Sequence, residues 1–143
     1  ERDDIREIDS TKKWISYAGW NTEWTKELPL PMQRAIISQY CDKHGIKIND
    51  YQFENEYVDW LPGLEKFITG YGIDAIVLCS INSLPDDPFR RYHLLSLAVE
   101  NEVELHFANE LCSVRTVEDI KHIQHVLEFV NENTPPNKTL GYV

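Results

Sequence analysis

The run IDAIVLC at residues 73–79 constrains the fold more than any other part of the chain. It is almost continuously apolar, and its only charged residue is Asp74. Strands of this kind are typical of the centre of a parallel sheet, where helices cover both faces. The run therefore predicts an α/β domain in which residues 73–79 form a central strand.

The segments on either side alternate between strand and helix patterns. Further strands are predicted at residues 13–17, 46–53 and 103–107, and helices at residues 31–44, 60–71, 88–101 and 116–133. Such alternation favours a mostly parallel sheet with helices on its faces. We predict one three-layer α/β domain of about four strands at residues 13–133. A charged arm precedes it at residues 1–12 and a tail follows at residues 134–143.

Helix boundaries are marked by particular residues. Pro31 suits the first turn of a helix, and Gly45 suits the left-handed position that ends it. Asp86 or Asp87 is placed to cap the helix that begins at Pro88. Thr116 with Asp119 three residues later resembles a capping box.

Composition narrows the class of protein. The 143 residues suit one domain, and 42% apolar with 27% charged residues is typical of a globular protein. The net charge of −10 argues against a nucleic-acid partner. No apolar run reaches the ~18 residues of a membrane span. The start at Glu1 instead of Met suggests a fragment, a processed chain or a module cut from a longer polypeptide.

The cysteines and the known motifs bear on chemistry and location. Cys41, Cys79 and Cys112 show no metal or redox spacing, which predicts thiols in a reducing, cytoplasmic compartment. No phosphate-binding, dinucleotide-binding or zinc motif is present, so no cofactor or metal is predicted. His122 and His125 could chelate a metal, but a surface pair is the simpler interpretation.

Polar residues follow the predicted strands, where parallel α/β sheets bind ligands. Carboxylates and an imidazole can exchange protons, while hydroxyls, amides and a guanidinium can hold a polar or anionic molecule. The predicted acid/base residues are Glu56, His106 and Glu110, and the predicted binding residues are Tyr57, Ser80, Asn82 and Arg91.

Each of these residues also has a purely structural interpretation. His106 lies inside a strand, where a neighbouring group can satisfy it. Arg91 can cover apolar helix surface with its stem and pair with an aspartate. Ser80 can bond to the backbone of its own turn, and Glu56 can be a solvated carboxylate. The residues alone leave both interpretations open.

The order of elements resembles the catalytic domain of serine recombinases. Those proteins carry a Y-x-R-V-S-T run at the end of the first strand, and this chain has YAGWNT at residues 17–22 followed by LPMQRAIISQYC at residues 30–41. In that register their arginine corresponds to Gly19, and their nucleophilic serine to Asn21. Their D-R-L becomes Asn82-Ser83-Leu84. An amide cannot replace a serine nucleophile. The resemblance therefore implies the fold without the recombination chemistry.

The chain also resembles a family of small bacterial proteins named for sporadic carbohydrate clusters. The matching segments are Pro31 to Cys41, Glu56-Tyr57, Ser80 to Asp87 with Arg91, and Leu105 to Glu110. Departures are Gly19, where the family has an arginine, and Ile81, where it has a leucine. The resemblance implies a role in bacterial surface-polysaccharide biosynthesis, acting on or binding a sugar-derived metabolite.

A non-catalytic interaction or oligomerisation domain, possibly within a larger glycan-biosynthesis protein, is the alternative. Trp14, Trp20 and Trp24, with Leu28 and Leu30, cluster around the first loop. Such apolar area on a loop indicates either a lid or a contact with another chain. The sequence therefore also predicts a homo-oligomer.

Overall fold

A computed structural model of the chain describes residues 12–19, 25, 27–54 and 61–132. Within these residues lie five strands and four α-helices, which alternate along the chain except that the last two strands are consecutive. The strands are β1 (Trp14–Gly19), β2 (Asp50–Glu54), β3 (Ala75–Leu78), β4 (Glu104–Phe107) and β5 (Cys112–Val114); the helices are α1 (Leu30–His44), α2 (Pro62–Gly70), α3 (Pro88–Glu100) and α4 (Val117–Glu132). A short 3₁₀ helix, Ile81–Ser83, follows β3.

The strands form one sheet in the order β2-β1-β3-β4-β5. β1 pairs in parallel with β2 and β3, and β3 pairs in parallel with β4. β3 is the middle strand, and all four of its residues are buried. The prediction drawn from the run at residues 73–79 is confirmed.

β5 was not among the predicted strands. It pairs antiparallel with β4, with Leu105 opposite Val114 and Phe107 opposite Cys112. A short turn reverses the chain between them, and Leu111 there adopts a left-handed φ of 56°. The sheet therefore has five strands instead of about four, and its last strand closes the edge beside β4.

Two apolar layers enclose the sheet. The larger layer joins one face of the sheet to α2, α3 and α4, through residues such as Leu64, Leu94 and Ile123. The smaller layer joins the other face to α1, where Ile37 and Tyr40 pack with Trp14. This is the three-layer α/β architecture that the alternating pattern predicted.

The predicted helix ends are largely confirmed. Gly45 follows α1 with a left-handed φ of 67°, and its position favours glycine because other side chains are strained there. Asp87 accepts a hydrogen bond from the Arg90 amide at the start of α3. Thr116 and Asp119 bond reciprocally at the start of α4, as a capping box requires.

The prediction that the tryptophan cluster lies on the surface is wrong for Trp14. Its side chain is 0% exposed, because β1 is an inner strand and its α1 face is covered. Trp20 and Trp24 lie outside the described residues. Leu28 packs against the smaller layer. Among the described helices, none is long and apolar enough to cross a bilayer.

Candidate functional site

The carboxyl ends of β3 and β4 are joined by a carboxylate. Glu110 accepts a hydrogen bond from the Ser80 hydroxyl at 2.6 Å and another from the Ile81 amide at 2.9 Å. The Asn109 side chain donates to the same carboxylate at 3.2 Å. Glu110 therefore fixes the turn after β3 to the turn after β4.

Ser80 is the centre of this turn. Its hydroxyl accepts hydrogen bonds from the backbone amide of Asn82 at 3.0 Å and from the Asn82 side chain at 3.2 Å. The residue is fully buried, so its oxygen serves the turn and does not face solvent. The same environment acts on the preceding thiol. Burial, with the nearby charge of Glu110, raises the pKa of Cys79 to about 12 and keeps that thiol protonated.

The end of β1 is held by a side chain of α1. The fully buried Gln33 amide donates to the Gly19 carbonyl and to the Leu28 carbonyl, each at 2.9 Å. Its oxygen also accepts a weaker bond from the Gly19 amide at 3.3 Å. One side chain thus joins the last residue of β1 to the segment that leads into α1.

Arg91 lies inside the protein and is 3% exposed. Its guanidinium donates to the carbonyl oxygens of Pro85 and Asp86, at 3.1 and 3.2 Å, and to the side chain of Gln124 on α4. These contacts hold the loop that leads into α3.

A surface cleft of about 440 Å³ lies beside the Glu110 cluster, between α1 and the turn after β4. Asn109 belongs to both the cluster and the cleft wall. The wall combines apolar, amide, phenol and ammonium groups; its residues are Ile36, Gln39, Tyr40, Lys43, Ala108, Asn109 and Leu111. Ligand sites in proteins have volumes of about 300–1,000 Å³ and mixed linings of this type.

A buried chain of polar groups begins at Tyr40. Its hydroxyl lies 2.8 Å from Nδ1 of His106, and Nε2 of His106 lies 3.0 Å from Oε1 of Glu104. His106 is 0% exposed and packs against the Trp14 ring, with the ring centroids 4.8 Å apart. No ligand can reach the imidazole directly in this structure, so the interpretation of His106 as a satisfied strand residue fits its position.

Glu104 is the charged end of this chain. Burial raises the pKa of its carboxyl, but hydrogen bonds from His106 and Lys12 and the charge of Arg115 lower that pKa to about 2. Lys12 Nζ lies 2.8 Å from Oε2 of Glu104. The carboxylate is therefore ionised at neutral pH and can only accept hydrogen bonds.

The predicted site residues are only partly brought together. Ser80, Asn82 and Glu110 form one cluster, while Arg91 and His106 are buried in separate contacts. Glu56 and Tyr57 lie outside the described residues. The expected acid/base pairing of Glu56 with His106 therefore stays a prediction. In the described part of the chain, no group of three or more His, Cys, Asp or Glu side chains could hold a metal ion.

The cleft wall on α1 was not predicted from the sequence. Ile36, Gln39, Tyr40 and Lys43 recur at spacings of three and four residues, so they share one face of α1. That mixed polar and apolar stripe was a usable signal.

Comparison with known proteins shows the fold. No protein-family profile matches the chain, and no curated protein matches it. The N-terminal catalytic domain of TP901-1 integrase superposes with a TM-score of 0.63 at 14% identity, covering 85% of this chain and 95% of that one. A resolvase-family site-specific recombinase from Streptococcus pneumoniae superposes with a TM-score of 0.60 at 12% identity. That match covers 85% of this chain and 89% of the recombinase. The chain therefore has a resolvase-like fold.

The fold comparison agrees with the resemblance drawn from the order of elements. Gly19 ends β1, and Asn82 and Ser83 lie in the 3₁₀ helix after β3. Asn21 is outside the described residues. In the register given above, Gly19 and Ser83 replace arginines of the recombinase pattern, and Asn82 replaces its aspartate.

Proposed function

We propose that the domain binds a sugar-derived small molecule in the cleft between α1 and the turn after β4, and that it serves bacterial surface-carbohydrate biosynthesis. The observation that carries the proposal is the cleft itself, a volume of about 440 Å³ at the carboxyl end of β4. This is the edge of an α/β sheet at which ligands usually bind.

The groups in the cleft suit a polyhydroxylated ligand with a negative charge. Gln39 and Asn109 offer amides that can both donate to and accept from sugar hydroxyls. Lys43 offers an ammonium for a phosphate or carboxylate. The apolar wall, which includes Ile36 and Leu111, can contact the less polar face of a sugar ring. A sugar phosphate or a nucleotide-activated sugar matches this combination.

The carbohydrate context is supported by the positions of the segments that resemble the carbohydrate-cluster family. Residues 31–41 form most of α1, residues 80–87 form the turn held by Glu110, and residues 105–110 lead from β4 into the cleft wall. The first and third segments both contribute to the cleft wall, through Ile36, Gln39 and Tyr40 of one and Ala108 and Asn109 of the other. The net charge of −10 weighs against a nucleic-acid ligand for the same cleft.

The experiment is a thermal-shift and calorimetric screen with UDP-glucose, UDP-N-acetylglucosamine and dihydroxyacetone phosphate. A ligand present at a hundred times its Kd stabilises the folded state by about 2.7 kcal/mol. For a domain of this size that raises the Tm by roughly 10 °C. A Lys43→Ala variant should weaken binding of each phosphorylated ligand.

Lys47→Ala is the matched control, because Lys47 is an exposed lysine that is not among the cleft residues. It should bind like the unchanged protein. A panel that produces no shift, or a Lys47→Ala variant that loses as much affinity as Lys43→Ala, would contradict the proposal.

A second candidate function is self-association, favoured by an exposed patch between α2 and α3. Phe89 is 84% exposed and borders a depression of about 420 Å³ with Glu65, Arg90 and His93. The patch carries an acidic and a basic group around an aromatic ring. Two copies related by a twofold axis could pair Arg90 of one with Glu65 of the other.

Light scattering tests this second candidate. A dimer that dissociates in a Phe89→Ser variant supports it, with Phe129→Ser on α4 as the control for loss of an exposed phenylalanine. A chain that stays monomeric near 16.8 kDa at tens of micromolar contradicts it.

A further inference from the structure

Among the residues that the structure describes, Asn109 belongs both to the wall of the cleft and to the Glu110 cluster. The residue is exposed, yet it is held at two points. Its backbone amide donates to the Cys79 carbonyl at 2.8 Å, and its side-chain Nδ2 donates to the Glu110 carboxylate at 3.2 Å. Asn109 is therefore the point at which the buried cluster can influence what the cleft binds.

The orientation of the Asn109 amide follows from the other contacts of Glu110. Ser80 accepts two hydrogen bonds from Asn82, so its own hydroxyl hydrogen is directed to Glu110. The Ile81 backbone amide can only donate, and it too meets this carboxylate. Glu110 thus accepts in each of these contacts. The nitrogen of the Asn109 side chain must face it, because the amide oxygen cannot donate.

The side-chain oxygen of Asn109, Oδ1, lies on the other side of the same planar group. Within the described residues, this oxygen accepts no hydrogen bond. It is therefore an open acceptor on a residue that borders the cleft. A sugar hydroxyl can donate to it, whereas a phosphate oxygen can only accept and is repelled. The negative charge of Glu110 behind the amide adds to that repulsion.

The α1 wall of the cleft has the opposite character. Lys43 of α1 is exposed, and in the described part of the chain it forms no ion pair. Its ammonium can only donate and carries a positive charge, so it favours a phosphate or carboxylate oxygen. The two walls therefore suit different parts of one ligand, with the anion toward α1 and the hydroxyls toward the turn after β4.

We propose that Glu110 is a positioning residue for the cleft: it fixes the Asn109 amide with Oδ1 as an acceptor for sugar hydroxyls, and so sets the direction in which the ligand binds. The anionic group of the ligand then lies toward Lys43. This rests on the proposed function, since it assigns an orientation to the ligand of the same cleft. The ligand class is a hydroxylated sugar with a phosphate at one end.

The test compares glucose 1-phosphate with methyl phosphate by NMR titration of the whole chain. Both are phosphate monoesters of the same charge, so the ratio of their Kd values measures what the sugar hydroxyls contribute. Glucose 1-phosphate should bind about tenfold or more tightly than methyl phosphate. Asn109→Ala should lower this ratio by about fivefold, the size of one hydrogen bond. Lys43→Ala should weaken both ligands by the same factor and leave the ratio unchanged.

A double-mutant cycle isolates the role of Glu110. Glu110→Ala should lower the ratio by the same factor as Asn109→Ala, and should have no further effect on it when Asn109 is already alanine. General loosening of the turn would instead lower the ratio in both backgrounds. Glu100→Ala is the matched control, because it removes an exposed carboxylate at the end of α3 and should leave the ratio unchanged.

A readout without ligand guards against a Glu110→Ala variant that fails to fold. Proton–nitrogen NMR of the unchanged protein should show slowed hydrogen exchange for one Nδ2 proton of Asn109. Exchange as fast as that of a free amide overturns the proposal, and so does a ratio that Asn109→Ala leaves unchanged or a glucose 1-phosphate that binds no more tightly than methyl phosphate. If the ligand screen still shows binding, the proposed function stands. If nothing binds, both fail.

Discussion

Replacing Arg91 by lysine separates a structural role from a ligand-binding role. The guanidinium holds two backbone carbonyls, those of Pro85 and Asp86, and also the side chain of Gln124. Lysine keeps the positive charge but has a single nitrogen and no planar fork. It can satisfy at most part of this set from the same position.

The size of the loss follows from those contacts. A buried acceptor left without its hydrogen bond costs about 1–3 kcal/mol. With Arg91 only 3% exposed, solvent cannot replace the lost donors. We expect Arg91→Lys to lower the free energy of unfolding by about 3 kcal/mol and the Tm by roughly 10 °C.

The assay is urea denaturation followed by circular dichroism, with calorimetry for the Tm. Arg90→Lys is the matched control, because Arg90 is the exposed neighbour on α3 and its side chain should tolerate the change within about 0.5 kcal/mol. If Arg91→Lys were as stable as Arg90→Lys yet lost affinity for phosphorylated ligands, Arg91 would be a binding residue and the reasoning would be refuted.

Other predictions concern stability. The lowered pKa of Glu104, about 2, stabilises the fold by roughly 3 kcal/mol above about pH 4.5, and this contribution is lost as the pH falls toward 2. Glu104→Gln should therefore remove this loss of stability at acid pH, which denaturation at several pH values measures. Gly45→Ala should cost about 1 kcal/mol at its left-handed φ of 67°, whereas Gly70→Ala, whose added carbon meets open space, should be neutral or slightly stabilising in the same thermal melts. Gln33→Met should cost about 2 kcal/mol and speed hydrogen exchange of the Gly19 amide; unchanged exchange would contradict it.

The central strand and the helix starts were predictable because each depends on local patterns. The apolar run of β3 and the proline in the first turn of α3 determine the structure of residues only a few positions away in the chain. β5 was not predictable on this basis. It is three residues long, and its position depends on a turn in which Leu111 has a left-handed φ. The sequence gives no signal for that conformation at a leucine.

The edge of the sheet at which the candidate-site residues lie was predictable, but the burial of their side chains was not. A residue that follows a parallel strand is placed at one edge, which is correct for Ser80 and Glu110. Whether its side chain meets solvent depends on what packs above it. His106 is buried because α1 lies over that face, and the same docking creates the wall that Lys43 lines. Neither follows from spacing within one strand.

The Gln33 amide has a consequence for how this fold could be altered. It bonds to Gly19 and to Leu28, so both ends of the connecting segment are anchored to the first turns of α1. Loss of this one side chain would therefore release Gly19 and Leu28 together. We expect the carboxyl end of β1 and the approach to α1 to loosen as a single unit, and hydrogen exchange at the two positions should rise in parallel when Gln33 is replaced.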